Sequence, residues 1–481
     1  MPVEGRSLSW KEAQEATRTE GLTMSLATPA SVQKLQTALH AKAKESPSFR
    51  FYALYDKVHR KDVLTYAYDC CKANGGAAGV DGQGFEDIET YGVERWLDEL
   101  AQELKSRTYQ PLPVRRVYIP KPDGKQRPLG VPAIRDRTAE MAAVLVLEPI
   151  FEADLQPEQY AYRQDRSALD AVKRVHKLIY AGHQEIVDAD LSSYFDSIPH
   201  SELLKSVARR VVDGAMLHLI KMWLEAPVEE TDEHGNKRRS TRNRDEGRGT
   251  PQGAPISPLL SNLYMRRFVL GWKKLGHEKR LKAYIINYAD DLVICCRASA
   301  DEALSLMRSM MSRLKLTVND SKTRVCRLPE EKFDFLGYTF GRCYSPKTGR
   351  AYWGTTPSKK RVQRLCQSIS EMTRRSQIQQ DAATLVAALN RKINGWANYF
   401  CLGPVSPAYR AVEQHTCRRL RQWLCVKHKE QTRGNTRFPQ RALHETFGLV
   451  RLTARTASFS VGDNVNLSPR AGCANCACPV R

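Results

Sequence analysis

Ala283-Tyr-Ile-Ile-Asn-Tyr-Ala-Asp-Asp-Leu-Val-Ile-Cys-Cys296 is the stretch from which the rest of the chain is read. Apolar, β-prone residues run to Tyr288 and resume at Leu292, with two adjacent carboxylates, Asp290 and Asp291, between them. The pattern predicts a β-hairpin with an acidic turn. Like carboxylates a few ångströms apart raise each other's pKa unless a cation lies between them. Mg²⁺ is the candidate cation, because it takes carboxylate and phosphate oxygens. On these residues alone an ordinary Asp-Asp turn facing water is the alternative, since Asp is a common turn residue.

Upstream, Gln184-Glu-Ile-Val-Asp-Ala-Asp-Leu-Ser-Ser-Tyr-Phe-Asp-Ser-Ile-Pro199 predicts a strand that ends in acidic residues and turns into a helix. Asp188 and Asp190 share a face of an extended strand. Only one of them need be a ligand, which leaves the others, Asp196 included, to cap or pair. Residues 227–249 are almost wholly polar and read as an exposed hairpin or loop. Thr250-Pro-Gln-Gly253 then opens a helix from a Gly/Pro-rich loop, with Gln252 where the backbone can approach a ligand closely; a loop that only shapes the helix start is the alternative. Further upstream, residues 115–132 read as a hairpin turning at Pro122-Asp-Gly124 and studded with Arg115, Lys121, Lys125 and Arg127. Such a ribbon grips phosphates, or is a solvated edge whose charges discourage pairing. Helical spacing marks residues 48–71, 93–106 and 135–151, with a shorter piece near 30–43 and a Gly-rich bend at 72–82.

Downstream of the acidic hairpin the pattern predicts a helix over 301–314 and one short alternating strand over 333–340. Residues 358–424 read as helical and basic, with Lys359, Lys360, Arg361, Arg418, Arg419 and Arg421 among Trp396, Tyr399, Phe400 and Trp423. Basic and aromatic helices suit RNA or DNA through phosphate contacts and stacking. Charge snorkelling over an ordinary helical core is the alternative. Cys473, Cys476 and Cys478 near the end could ligate zinc but lack a nearby fourth ligand, so an unstructured thiol-bearing tail is expected.

Composition tips the basic, aromatic helices towards nucleic acid. Lys plus Arg number 75 against 53 Asp plus Glu in 481 residues, a formal net charge of +22. That excess points to a polyanion, with nucleic acid first. No apolar run is long enough to span a bilayer, so no membrane partner is expected. The polar start lacks a secretion signal's apolar core, and the 13 cysteines suggest no disulfide framework, which together suit a reducing cytoplasm.

A basic hairpin, an acidic strand end, a Pro-Gln-Gly loop with its helix and an acidic hairpin, in that order, are what nucleotide addition needs. From about residue 50 to about residue 450 the chain resembles the reverse transcriptases encoded by bacterial group II introns, also called intron maturases. The resemblance rests on Gly79-Val-Asp-Gly82, Lys121-Pro-Asp-Gly124 with Arg127-Pro-Leu-Gly-Val-Pro132, Gln159-Tyr-Ala-Tyr-Arg-Gln-Asp-Arg-Ser167 and Asp190-Leu-Ser-Ser-Tyr-Phe-Asp196. Thr250-Pro-Gln-Gly-Ala-Pro-Ile-Ser-Pro-Leu-Leu260, Tyr288-Ala-Asp-Asp291, Phe335-Leu-Gly-Tyr338 and Gly395-Trp-Ala-Asn-Tyr-Phe400 complete it. Ala254 departs from a common Gly, and Gln164-Asp165 from a common Pro-Gly; neither change removes a catalytic group.

The resemblance implies an α+β right-hand polymerase: an N-terminal extension over residues 1–47, fingers over 48–180, a palm with an antiparallel sheet over 181–345, a helical thumb or maturase region over 346–435, and a DNA-binding-like segment and tail over 436–481. It implies that Asp190, Asp290 and Asp291 hold two Mg²⁺ ions, with Mn²⁺ as a substitute. Lys121 and Arg127, with Arg115 beside them, would hold the incoming triphosphate, and Gln252 would line the nucleotide pocket. Phe195, with Tyr194, would press on the sugar, and Lys322 would protonate the leaving pyrophosphate. Lys359, Lys360, Arg361, Trp396, Tyr399, Arg418 and Arg419 would meet nucleic acid. The implied activity is RNA-directed DNA synthesis from dNTPs on an RNA template and DNA primer, together with binding and splicing of the group II intron RNA and its retrohoming. A splicing cofactor with an idle polymerase, or a host-recruited enzyme of DNA repair or phage defence, are the alternatives. No endonuclease cluster of paired Cys and His follows the thumb, so a primer supplied from elsewhere is expected.

Overall fold

The computed structural model describes residues 26–120, 126–232 and 234–456. Lys121, the stretch 1–25 and the three tail cysteines lie outside the described residues. Strands form at β1 (Val114–Pro120), β2 (Gln126–Val131), β3 (Glu185–Asp190), β4 (Val228–Thr231), β5 (Lys237–Ser240), β6 (Ala283–Tyr288), β7 (Asp291–Cys296), β8 (Arg324–Arg327), β9 (Phe333–Phe335), β10 (Tyr338–Tyr344) and β11 (Ala351–Pro357). They make a sheet of order β2-β1-β4-β5, one of order β6-β7-β3-β8 and a three-stranded one of order β11-β10-β9. The first is mixed: β1 pairs antiparallel with β2 but parallel with β4. With the helices around them this is the expected α+β class.

The described residues fall into two compact units: 26–166 with Val187–Val325, and Ser167–Ile186 with 326–456. In the first, the helix Ile134–Glu152 is the hub. It is buried nearly all round, polar Asp136, Arg137 and Glu140 included, and the helices Ala30–Glu45 and Lys61–Asn74 pack on it. The helix Val93–Ser106 has the expected bounds, and its buried Trp96, Leu97, Leu100 and Leu104 recur at helical spacing. The second unit has its own core, with Leu365, Ile369, Leu389, Ile393, Val412 and Leu424 from the helices Lys359–Met372, Ala382–Tyr399 and Ser406–Lys427.

Three expectations change. Residues 48–71 are not one helical run: the short helix Tyr55–Val58 precedes Lys61–Asn74. The backbone of Phe51 is taken by Arg210 and Val212 instead, and Asp213 accepts from the Leu54 and Tyr55 amides at 2.8 Å. Residues 333–340 are not one strand. Leu336 and Gly337 both have positive φ (49° and 83°), and Phe335 pairs with Tyr338, which makes a two-residue hairpin turn.

In the acidic hairpin, third, Tyr288 pairs with Asp291, so the turn is Ala289-Asp290 and Asp291 is a strand residue. Ala289 adopts φ 56°, a left-handed conformation that costs an L-residue about 1–2 kcal/mol. Buried Asn287 braces that turn, its Nδ2 donating to the Ala289 carbonyl at 2.9 Å.

Candidate active site

β3 carries Asp190 at its carboxyl end and lies beside β7, whose first residue is Asp291. Carboxylates from two distant chain segments therefore belong to neighbouring strands. The Asp190 Oδ2 accepts from Asn319 Nδ2 at 3.0 Å and from Lys322 Nζ at 3.1 Å. The Asn319 amide donates to the Asp190 carbonyl at 2.9 Å, so the loop that holds Lys322 is tied to the strand end. Asn319 stands in the same Asn-Asp-Ser-Lys run as Lys322, yet nothing in its residue type announced that bond. Asp188 pairs with Arg324 across 3.6 Å.

Asp190, Asp290 and Asp291 are all half-buried. Among the described residues, no three His, Cys, Asp or Glu side chains are drawn together closely enough to cage an ion by themselves. Carboxylates repel without a cation between them, and the ammonium of Lys322 neutralises Asp190 here. The donor set nevertheless fits magnesium in kind. Mg²⁺ takes hard oxygens from one or two carboxylates and completes its octahedron with water and substrate phosphate.

A second cluster joins the basic hairpin to the Pro-Gln-Gly loop. Arg127 Nε donates to Gln252 Oε1 at 3.2 Å, and Gln252 Nε2 donates to Asp196 Oδ2 at 3.0 Å. The Gly130 amide donates to the Gln252 carbonyl at 2.6 Å. A Cβ on Gly253, at φ 121°, would lie 2.3 Å from the Gly130 oxygen. The close approach that the glycine permits is thus to β2. Phe195 is buried and packs edge-on against Tyr162 and Tyr194, while its carbonyl accepts from the Thr250 amide at 2.8 Å. Arg115 is half-buried in β1, and its Nε has no hydrogen-bond partner among the described residues.

Tyr194 is placed differently from the expectation. It is buried, its hydroxyl donates to the Ser261 carbonyl at 2.6 Å, and burial holds its phenol well above the ordinary value. It supports the helix Ser257–Lys274.

In the second unit the basic and aromatic residues separate into two kinds. Lys359, Lys360, Arg361 and Arg418 are exposed. Arg419 is half-buried: its Nε bonds Thr373 Oγ1 at 3.0 Å and its Nη2 bonds the Ser370 and Thr373 carbonyls at 3.0 Å. It satisfies the end of the helix Lys359–Met372, whose last carbonyls lack intrahelical donors. Trp396 and Tyr399 pack with Tyr338, Phe400 and Tyr409, and the Tyr399 hydroxyl donates to the Leu336 carbonyl at 2.8 Å. Both are half-buried, and composition alone could not show that they share an aromatic cluster.

The model for a reverse transcriptase (RNA-dependent DNA polymerase) matches residues 119–340, and the model for the group II intron maturase-specific domain matches residues 362–440. Protein YkfC of Escherichia coli is 30% identical over 367 residues, which cover 68% of this chain and 93% of that protein. The chain belongs to the group II intron reverse transcriptase and maturase family. The group II intron-encoded protein LtrA of Lactococcus lactis subsp. cremoris is 34% identical over 351 residues, and a putative COX1/OXI3 intron 1 protein of Saccharomyces cerevisiae is 26% identical over 328. These matches cover 60% and 58% of this chain, 56% of LtrA and 38% of the yeast protein. The reverse transcriptase match contains both clusters, and the maturase match contains Arg418 and Arg419. Among the described residues no helix is long and apolar enough to cross a membrane.

Proposed function

We propose that this intron maturase copies RNA into DNA by two-metal nucleotidyl transfer, and that it binds a group II intron RNA, assists its splicing and reverse-transcribes it during retrohoming. The observation that carries the reading is the adjacency of β3 and β7, which brings Asp190 and Asp291 to neighbouring strands of one sheet. Asp190, Asp290 and Asp291 would hold the ions, and bound Mg²⁺ would lower the pKa of the primer 3′-hydroxyl and neutralise the leaving oxygens. The rest of the work falls to the chain. Arg127, Lys121 and Arg115 supply positive charge for the triphosphate, where positioned charge does most of phosphoryl-transfer catalysis. Gln252 lines the nucleotide pocket and Phe195 limits it at the sugar. Lys322, already against Asp190, delivers a proton to pyrophosphate.

RNA recognition is assigned to the exposed basic start of the helix Lys359–Met372. Lys359, Lys360 and Arg361 occupy its first turn, and no side chain caps it. Cations there oppose the helix dipole, whereas an anion is stabilised by it. A phosphate of the RNA backbone would satisfy both the amides and the cations.

Primer extension on an RNA template tests the reading. Asp290→Asn is expected to abolish extension in Mg²⁺ while RNA binding by filter retention stays within about twofold, since the RNA-binding surface lies in the maturase region. Full extension by that variant would end the metal-site assignment.

A further inference from the structure

Asp196 has no role in the two-metal scheme, yet its side chain is engaged with the nucleotide pocket. We propose that Asp196 is a positioning residue: it fixes which way the Gln252 amide faces, and through that amide it sets the plane of the Arg127 guanidinium. The proposal rests on the polymerase reading above.

An ionised Asp only accepts, an Arg only donates, and a Gln amide does one at each end. With Asp196 Oδ2 3.0 Å from Gln252 Nε2 and Arg127 Nε 3.2 Å from Gln252 Oε1, the chain reads in one direction only. Turning the amide over would place nitrogen against the Arg127 donor and oxygen against the carboxylate, losing both bonds. The backbone supports the same alignment from both sides. The Gln252 carbonyl is held by the Gly130 amide, and the Thr250 amide is held by the Phe195 carbonyl. Gly249, at φ 99°, lies against the Asp196 backbone, where a Cβ would come within 3.3 Å of its oxygen. Three segments far apart in sequence, carrying Arg127, Asp196 and Gln252, are thereby locked together. The amide orientation is the one element of the lock that a side chain must decide.

The test exchanges the direction of one hydrogen bond. Asp196→Asn gives the Gln252 amide a partner that both donates and accepts, so only Arg127 still specifies its orientation. Gln252→Glu sets two carboxylates against each other. In the double variant the introduced asparagine donates to the introduced glutamate, whose other oxygen still accepts from Arg127, and the summed charge is unchanged. Single-nucleotide incorporation by each is expected to show the dNTP KM raised about tenfold by Asp196→Asn, as for loss of one charge-assisted hydrogen bond, with kcat within about threefold. Gln252→Glu should raise KM further, and the double variant should fall below both singles. RNA affinity and Tm should be unchanged in Asp196→Asn.

An unchanged KM in Asp196→Asn, or a double variant no better than the sum of the two singles, would overturn the assignment. So would a fall in Tm and RNA affinity that tracks the activity, which would mean a purely structural role. Wild-type protein that extends no primer would bring down the polymerase reading and this one together. Wild-type extension without rescue in the double variant removes the role of Asp196 alone.

Discussion

Lys322 holds 63% of its side chain in solvent while its ammonium stays 3.1 Å from Asp190. An exposed pair of this kind contributes at most about 1 kcal/mol to stability, so Lys322→Ala should leave Tm nearly unchanged. If the lysine is the general acid for pyrophosphate, the same variant should lower kcat by about 10²–10⁴. Pre-steady-state incorporation at saturating dNTP separates these outcomes, and a loss below about threefold would assign Lys322 to charge balance alone. Ala289 makes a second case. Its φ of 56° in the acidic turn suits Gly, so Ala289→Gly is expected to keep activity and to gain up to about 1 kcal/mol from relieved strain, less the added chain entropy. Ala289→Val, stiff at χ1 and forced into the left-handed region of a buried turn, should cost extension severely by displacing Asp290. Thermal melts and primer extension on the pair check this; a fully active valine variant would show that the turn geometry does not matter. At this scale the sequence was legible for what side chains are and not for what they touch. Asp190 meets Lys322, and Arg127 meets Gln252, pairings that the motifs did not name. Tyr194, Tyr399 and Arg419 have the chemistry of ligand contacts but spend it on the backbone of their own unit, and that choice depends on packing around residues distant in the chain.

Elements were easier to read, because periodicity reports burial directly. The helix over 93–106 and both strands of the acidic hairpin follow from spacing alone, whereas the break before Lys61 and the turn at Leu336-Gly337 depend on bonds to remote partners and on a positive φ at a leucine. The helix Ile134–Glu152 has a consequence that its apolar pattern concealed. Its Asp136 is buried and accepts from the Tyr109 hydroxyl at 2.7 Å and the Leu112 amide at 2.9 Å, which fixes the segment entering β1. Burial pushes the Asp136 carboxyl up to about 6, against the pull of the Tyr109 and Leu112 hydrogen bonds and of Arg135. The native state therefore keeps a proton that the unfolded chain, with an ordinary carboxyl near 4, gives up. Between about pH 4 and pH 6 the unfolded state binds fewer protons, so this group's contribution to stability falls as pH rises, by about 3 kcal/mol over the window. Urea unfolding at pH 4, 5, 6 and 7 should show that fall in the wild type relative to Asp136→Asn. The variant should also lose about 1–3 kcal/mol, because the amide nitrogen that replaces one carboxyl oxygen cannot accept the bond that oxygen takes. Parallel pH profiles for the two proteins would remove Asp136 as their source.

For the molecule as a whole, net charge was the most informative property and the least local. A value of +22 argues for a polyanion independently of any motif, but it does not say which cations meet it. The exposed set, Lys359, Lys360, Arg361 and Arg418, and the helix-capping Arg419 look alike in composition and should behave differently in solution. Removing one cation that neutralises a phosphate lowers the slope of log affinity against log salt by about 0.7–0.9. Lys360→Ala with Arg418→Ala should therefore weaken RNA binding and flatten that slope by about 1.4–1.8, with Tm unchanged, if each cation meets one phosphate. Arg419→Ala should instead lower stability by about 1–3 kcal/mol through the carbonyls it leaves unpaired. Its salt slope should stay at the wild-type value at temperatures where it remains folded. Filter binding of a structured RNA across a salt series, paired with thermal melts of the same proteins, distinguishes the two classes. If Arg419→Ala flattened the slope while keeping its Tm, the guanidinium would belong to the RNA surface after all. The hydrogen bonds it makes to Ser370 and Thr373 would then be the ones exchanged for phosphate on binding.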